Sequence, residues 1–295
     1  MKTLNTLFKN SVLASWILFI AWFILPVANY NQEELALGNY FWVMGVGLPF
    51  FFYLTKASLA SCISLVWVFY KGGLRSIRWH WVDVCFVVFV VSPILSVLHE
   101  NNEGWKSLLD SVYLFIVWGV PYFIGRMVLT SKVDLIKSLE IFVVISLIAT
   151  PFFLAEFFLS PFFYELLYGF HPFNRDGAER ALNYRPMLLL EHGNQLGMWY
   201  LTAALAAFGL WKSGKHMLYT LNMNYVHLCL VLMLLLSQSR GAIVLYILGV
   251  VFTLIAEKVR PHVLALSLLA ILAFVTLVPV FFGDQLYVFA KTTEV

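Results

Sequence analysis

Charge is scarce in this sequence. Asp, Glu, Lys and Arg make up 12% of its 295 residues, where a soluble globular domain carries about 25%. With 61% hydrophobic residues and a mean hydropathy of +0.84, there is too little polar surface to cover a water-soluble particle. Cytosolic enzymes and nucleic-acid binders are excluded on that ground. Cysteine is also sparse. Cys62, Cys85 and Cys229 all sit in apolar runs with no CxxC and no Cys/His spacing, which excludes a disulfide scaffold and a zinc site. They read as small buried hydrophobes. The strings of a P-loop, a GxSxG elbow and an HExxH helix are missing, and no metal or cofactor is expected. Nor is a cleavable leader expected. Met1–Asn10 is short and basic, and the apolar run after it reaches Pro26, Asn29 and Tyr30 without a small-residue cleavage site.

Long apolar runs are what the chain does have. A hydrocarbon core of about 30 Å needs about 20 apolar helical residues. Such runs lie at 12–28, 38–70, 81–98, 108–125, 139–163, 187–211, 218–236, 241–256 and 262–282. The 27 Phe, 14 Tyr and 10 Trp suit a membrane protein with aromatic belts at its interfaces. The expected fold is all-α, a polytopic helical membrane protein. It forms a single transmembrane domain over 1–295, with about nine to ten spans. The run 38–70 is too long for one helix, roughly 50 Å at 1.5 Å per residue. It is expected to be tilted or broken around Pro49–Lys56, making one net crossing.

Alternating sides from a cytoplasmic N-terminus places Lys2, Lys9, Lys71, Arg75, Arg78, Arg126, Lys132, Lys137, Lys212, Lys215, Lys258 and Arg260 inside. They outnumber the inner acids Asp83, Asp134, Glu140 and Glu257. Acidic residues dominate the other side, as the positive-inside rule asks. Arg126 reads as an ordinary anchor on this pattern.

Four arginines break the rule on the outer face. Arg175, Arg180 and Arg185 lie in FHPFNRDGAERALNYRP, and Arg240 lies in LLLSQSRGAIV. Arginine clamps phosphate bidentately and keeps its charge in any environment. The cluster therefore suits an anionic ligand such as a lipid diphosphate, or else local salt bridges to Asp176, Glu179 and Glu191. Past Arg185, the segment EHGNQLG brings His192 and Asn194 to the polar start of a span, where free N–H groups favour anions. His192 is either a base or a hydrogen-bonded interfacial residue. Glu156, in TPFFLAEFFLSPFF, is a carboxylate well inside an apolar run, a functional candidate by position. One of Arg175, Arg180 or Arg185 is expected to reach it, as an acid–base partner or as a lock between loop and bundle.

These strings resemble the O-antigen ligase and polymerase superfamily of bacterial envelope glycosyltransferases. The resemblance rests on PYFIGR (Pro121–Arg126), the outer loop closing on Arg185 with EHGNQLG after it, the short inner loop with Lys212 and Lys215, and the SRGA turn (Ser239–Ala242). It covers about residues 80–282. It implies a multi-pass protein of the bacterial inner membrane, acting without metal or cofactor. Such a protein takes a glycan from undecaprenyl diphosphate and passes it to a glycan or lipid acceptor at the outer face. It also implies that Arg185 and Arg240 hold the carrier diphosphate, with Glu156, His192, Asn194, Arg175 and Arg180 in support. The family pattern often has proline where Gly193 stands. The family's general base is a histidine in a large outer loop after the ninth span, and the sequence ends before that slot. The chain is therefore expected to be the N-terminal part of such a fold, with its catalytic residue outside it. The competing reading is a transporter or flippase for a lipid-linked substrate. No inverted halves are evident, and the polar residues gather at one interface rather than at the midplane.

Overall fold

The computed structural model describes residues 10–25, 40–43, 46–49, 56–70, 81–97, 104–129, 131–168, 179, 182–190, 192–256, 258–259 and 263. The chain divides into two compact units, Met1–Tyr246 and Ile247–Val295. Helix dominates the described residues. The order is α1 (Asn10–Ile24), α2 (Lys56–Tyr70), α3 (Trp81–Val97), α4 (104–128), α5 (Lys132–Leu159), α6 (Phe163–Tyr168), α7 (Gly193–Lys212), α8 (Met223–Leu236) and α9 (Arg240–Ala256). Two of them contain segments long and apolar enough to cross a membrane, Ser107–Val128 in α4 and the whole of α5.

Among the described residues the helices overlap the expected runs, with three differences beyond shifted ends, and the run 262–282 lies outside the described residues apart from residue 263. The run 38–70 is an antiparallel hairpin, β1 (Tyr40–Val43) with β2 (Val46–Pro49), followed by α2. The residues expected at the break, 50–55, lie outside the described residues, while Tyr40–Val43 and Val46–Pro49 pair as strands rather than forming a tilted helix. Pro49 fits the end of a strand because it has no N–H to donate onward. The second difference is the run 187–211, whose helix begins only at Gly193. Residues 185–190 are held off the helical path, as their hydrogen bonds show below. The third is a second small hairpin, β3 (Met217–Leu218) with β4 (Leu221–Asn222), which joins α7 to α8 at the start of the run 218–236.

Local chemistry explains the element ends. Ser131 caps α5 by accepting from the Asp134 N–H at 3.2 Å, and Asp134 places a negative charge at the positive end of the helix. In α4, Pro121 has no N–H to give the carbonyl four residues back. The ladder widens there into a π-turn over Phe115–Gly119, with the Val120 N–H on the Phe115 carbonyl. α7 stops where Gly214 takes φ +89°, a left-handed turn that lets Lys215 N–H reach the Leu210 carbonyl at 3.1 Å.

α5, α7 and α8 build the core of the first unit, around Phe153, Leu196, Tyr200, Leu230 and Leu234, all buried. Ala203, Ala204, Ala206 and Ala207 are buried along α7; small side chains let neighbouring helices approach closely. α1 is fastened to this core by aromatic rings. Trp22 stacks on Trp199 at 5.4 Å, and Phe19 meets Phe142 edge-on at 5.0 Å.

α5 and α7 run antiparallel, tied at both ends. Lys215, just past α7, donates to Glu140 early in α5. Glu156, late in α5, meets the segment that leads into α7. The two glutamates are roughly 24 Å apart along the helix at 1.5 Å per residue. The Glu140 end therefore gathers Lys132, Lys137, Lys212 and Lys215, and the Glu156 end gathers Arg185 and Arg240.

Candidate functional site

The site forms where the segment 183–190, the start of α7 and the turn before α9 meet. Arg185 is 8% exposed. Its Nη2 donates to the Asn194 side-chain oxygen. Ser239 Oγ donates to the same oxygen at 3.3 Å. Two segments more than fifty residues apart thus share one acceptor. Gln238, in the left-handed region at φ +54°, donates from Nε2 to the Asn183 carbonyl at 3.1 Å. That second bond fixes the Ser237–Arg240 turn against the Arg185 segment.

Glycine makes the close fit possible. A Cβ on Gly193 would lie 2.5 Å from Arg185 Nε, so the arginine stem rests on the first turn of α7. A Cβ on Gly197 would lie 2.4 Å from the Ser239 Cβ. The spacing Gly193-x-x-x-Gly197 puts both bare positions on one face of the helix.

Arg240 opens α9 and is exposed. Among the described residues, no hydrogen bond or ion pair engages its guanidinium. The beginnings of α7 and α9 adjoin here, since Asn194 and Ser239 are bonded. Each brings the partial positive charge of a helix N-terminus. The Arg185 guanidinium and two helix starts make a place where negative charge is favoured, and Arg240 opens the second of those helices.

His192 is exposed and caps α7, its Nδ1 accepting the Gln195 N–H at 3.3 Å. In the structure it is hydrogen-bonded through this nitrogen. With Nδ1 engaged as an acceptor, the neutral ring carries its proton on Nε2.

Glu156 is fully buried, at 0% exposure, and among the described residues the hydrogen bonds to its carboxylate come from backbone amides; Arg175 and Arg180, two of the three arginines expected near it, lie outside the described residues. Oε1 accepts from Phe162 N–H at 3.2 Å and Phe163 N–H at 3.0 Å. Oε2 accepts from Met187 N–H at 2.9 Å and Leu188 N–H at 2.7 Å. An ionised carboxylate is an acceptor with about four lone-pair positions, and here all are taken. The reason is local. α5 ends at Ser160, with φ 99°, and Pro161 follows. The chain turns back so that the free N–H groups at the start of α6 face the carboxylate.

Arg126 also has a more specific place than a topological anchor. Its Nη1 lies 2.5 Å from Asp83 Oδ1, and the Tyr122 hydroxyl donates to that oxygen at 2.7 Å. Asp83 is fully buried. This cluster ties α3 to α4. Among the described residues, no group of three or more His, Cys, Asp or Glu side chains is close enough to hold a metal ion.

The chain matches no family model, no curated protein and no solved structure. Of the residues singled out by sequence, Arg185, Asn194, His192 and Arg240 come together at this site. Glu156 stands behind the segment that carries Arg185. Arg175 and Arg180 lie outside the described residues. Sequence reasoning had Ser239 and the two glycines only within the strings SRGA and EHGNQLG, without a packing role, and passed over Gln238. The signal was present as GNQLG beside SQSR, a small-xxx-small pair that marks close helix approach.

Proposed function

We propose that the chain is a multi-pass protein of the bacterial inner membrane that binds the diphosphate of a polyprenyl-linked glycan at the outer face. The reading follows the O-antigen ligase and polymerase resemblance, with transfer of the glycan to a second glycan or lipid as the reaction served. The observation that carries it is the shared Asn194 oxygen. That contact brings Arg185 beside the turn that carries Arg240, which supports a shared anion site at the two helix starts.

Two further features support the reading. Val66, Trp118, Phe158 and Leu232 are large apolar side chains exposed on the helices, a surface that suits lipid better than water. The arginine end of α5 and α7 is also opposite the lysine end, as expected if the lysines face the cytoplasm. In this role the arginines offset the negative charge that grows on the lipid diphosphate as it leaves. Asn194 and Ser239 hold the two segments in register for that task.

The test is binding of a short-chain polyprenyl diphosphate to purified protein, with alanine at each of Arg175, Arg180, Arg185 and Arg240. Charge-assisted contacts are worth roughly 1.5–3 kcal/mol each. Loss of Arg185 or Arg240 should therefore weaken binding by about one to two decades. Arg175 and Arg180, beside Asp176 and Glu179, should matter less. Unchanged binding in both Arg185→Ala and Arg240→Ala overturns the proposal.

A further inference from the structure

Glu156 has no role in carrier binding as described, yet its carboxylate joins two places that are far apart in sequence. Oε1 holds the amides of Phe162 and Phe163, where the connector after α5 begins. Oε2 holds the amides of Met187 and Leu188, where the same connector ends. The connector leaves and returns at one buried side chain. Arg185 is two residues before the second grip.

The grip also sets backbone conformation. Leu188 has φ 51°, a left-handed region that is unfavourable for a non-glycine residue. Its N–H is the donor of the shortest of the four bonds, and its side chain is buried in the core. Met187, Leu188, Leu189 and Leu190 are all buried. The segment is thus fixed by the carboxylate from one side and by its own apolar side chains from the other. Pro186 makes the link to Arg185 stiff.

We infer that Glu156 is a positioning residue. By clipping the two ends of the 162–188 connector to α5, it sets where the Arg185 guanidinium stands over the start of α7. This rests on the carrier-site reading for its functional consequence, but the clip is a geometric claim that can be tested without a ligand. A glutamine in its place keeps the shape and supplies a single acceptor oxygen. Its NH2 group would then face two N–H donors, so one end of the connector must let go.

The first arm reads the clip directly. Spin labels at Leu166→Cys and Leu182→Cys, both exposed positions, are placed in a background with Cys62, Cys85 and Cys229 replaced by alanine. The distance distribution between them should be narrow with Glu156 and clearly broader with Glu156→Gln. Equal widths overturn the inference.

The second arm reads Arg185, using binding of a short-chain polyprenyl diphosphate. Glu156→Gln should weaken binding roughly tenfold, the scale of one charge-assisted contact. The Glu156→Gln, Arg185→Ala double variant should bind no worse than Arg185→Ala alone, because both changes remove the same contact. A purely structural glutamate would lower the folded fraction and leave the dissociation constant of the folded protein unchanged; that result overturns the positioning role. Glu156→Asp covers the case in which glutamine prevents folding. It keeps the charge but is one methylene short, and it should broaden the distances and weaken binding in the same direction. If Arg185→Ala itself binds normally, the carrier-site reading falls, and the spin-label widths still decide the clip.

Discussion

Gly197 lies directly against Ser239. A Cβ on the glycine would be 2.4 Å from the serine Cβ and 2.9 Å from its Oγ, with Ser237 Oγ at 3.1 Å. Ser239 is buried and precedes Arg240, so α7 and the turn that carries the arginine are in direct contact. Overpacking such a contact costs typically 1–3 kcal/mol, against about 0.5–1 kcal/mol that alanine gains over glycine in a helix. Gly197→Ala should therefore lower the thermal midpoint modestly and displace the turn, weakening diphosphate binding about tenfold. Gly209 in the same helix has nothing within 4 Å of its added Cβ. Gly209→Ala should raise the midpoint and leave binding alone. Thermal unfolding in detergent with binding on the same samples tests the pair; equal effects would mean that Gly197 is an ordinary helix glycine.

Arg185 and Arg240 should differ under the same conservative change. Arg240 is exposed, so Arg240→Lys should leave the thermal midpoint where it is. It should weaken binding severalfold, since lysine keeps the charge and loses the planar fork. Arg185 is buried on α7 and bonded to Asn194. Arg185→Lys should lower stability as well as affinity. A stable protein with unchanged affinity in both variants would show that charge alone is read at this surface.

The Asp83 cluster gives a prediction independent of any ligand. The Asp83 side chain is 1% exposed and that of Arg126 is 31% exposed. Removing one partner of a buried ion pair leaves the other uncompensated, at a cost of about 3–5 kcal/mol. Arg126→Ala should destabilise the protein on that scale. Adding Asp83→Asn should recover part of the loss, because the remaining amide still accepts from Tyr122 and carries no charge. Denaturant unfolding of the single and double variants checks this; additive losses would mean that the pair is not coupled.

Helix positions were legible because hydropathy sets them. The observed limits of α3, α8 and α9 lie within a few residues of the apolar runs that the sequence displays. What hydropathy could not show was backbone that is apolar yet not helical. Met187–Leu190 reads as the start of a span. It is diverted because the Glu156 carboxylate takes the Met187 and Leu188 amides. The hairpin over 40–49 is hidden in the same way, since aromatic and β-branched residues suit a strand as well as a lipid-facing helix. At the site, arginine was legible by its sidedness. The partners of Arg185 and Glu156 were not, because hydrogen bonds to an amide oxygen or to backbone N–H leave no charge pattern in a sequence. Opposite charge suggested an arginine for Glu156, whereas the donors seen among the described residues are backbone N–H groups, two at the start of α6 and two in the segment before α7.

The side assignment underlies the functional proposal and can be tested at the two ends of one helix. α7 has 20 residues, a length of roughly 30 Å at 1.5 Å per residue, which matches a hydrocarbon core of about 30 Å, although it is less apolar than the two candidate spans in α4 and α5. Leu182 precedes it on the arginine side, and Ser213 follows it on the lysine side; both are exposed. Lys212 and Lys215 flank Ser213, so on the proposed topology the positive-inside rule assigns that end to the cytoplasm. Lys215 bonds to Glu140, but acidic residues carry little weight in that rule, so the pairing does not reverse the assignment. In intact spheroplasts, with Cys62, Cys85 and Cys229 replaced by alanine, a membrane-impermeant maleimide should label Leu182→Cys at once. Ser213→Cys should react only after permeabilisation. The reverse pattern would place Arg185 and Arg240 in the cytoplasm, away from any glycan presented at the outer face. Labelling of both positions without permeabilisation would mean that α7 does not cross. Either result removes the proposed function.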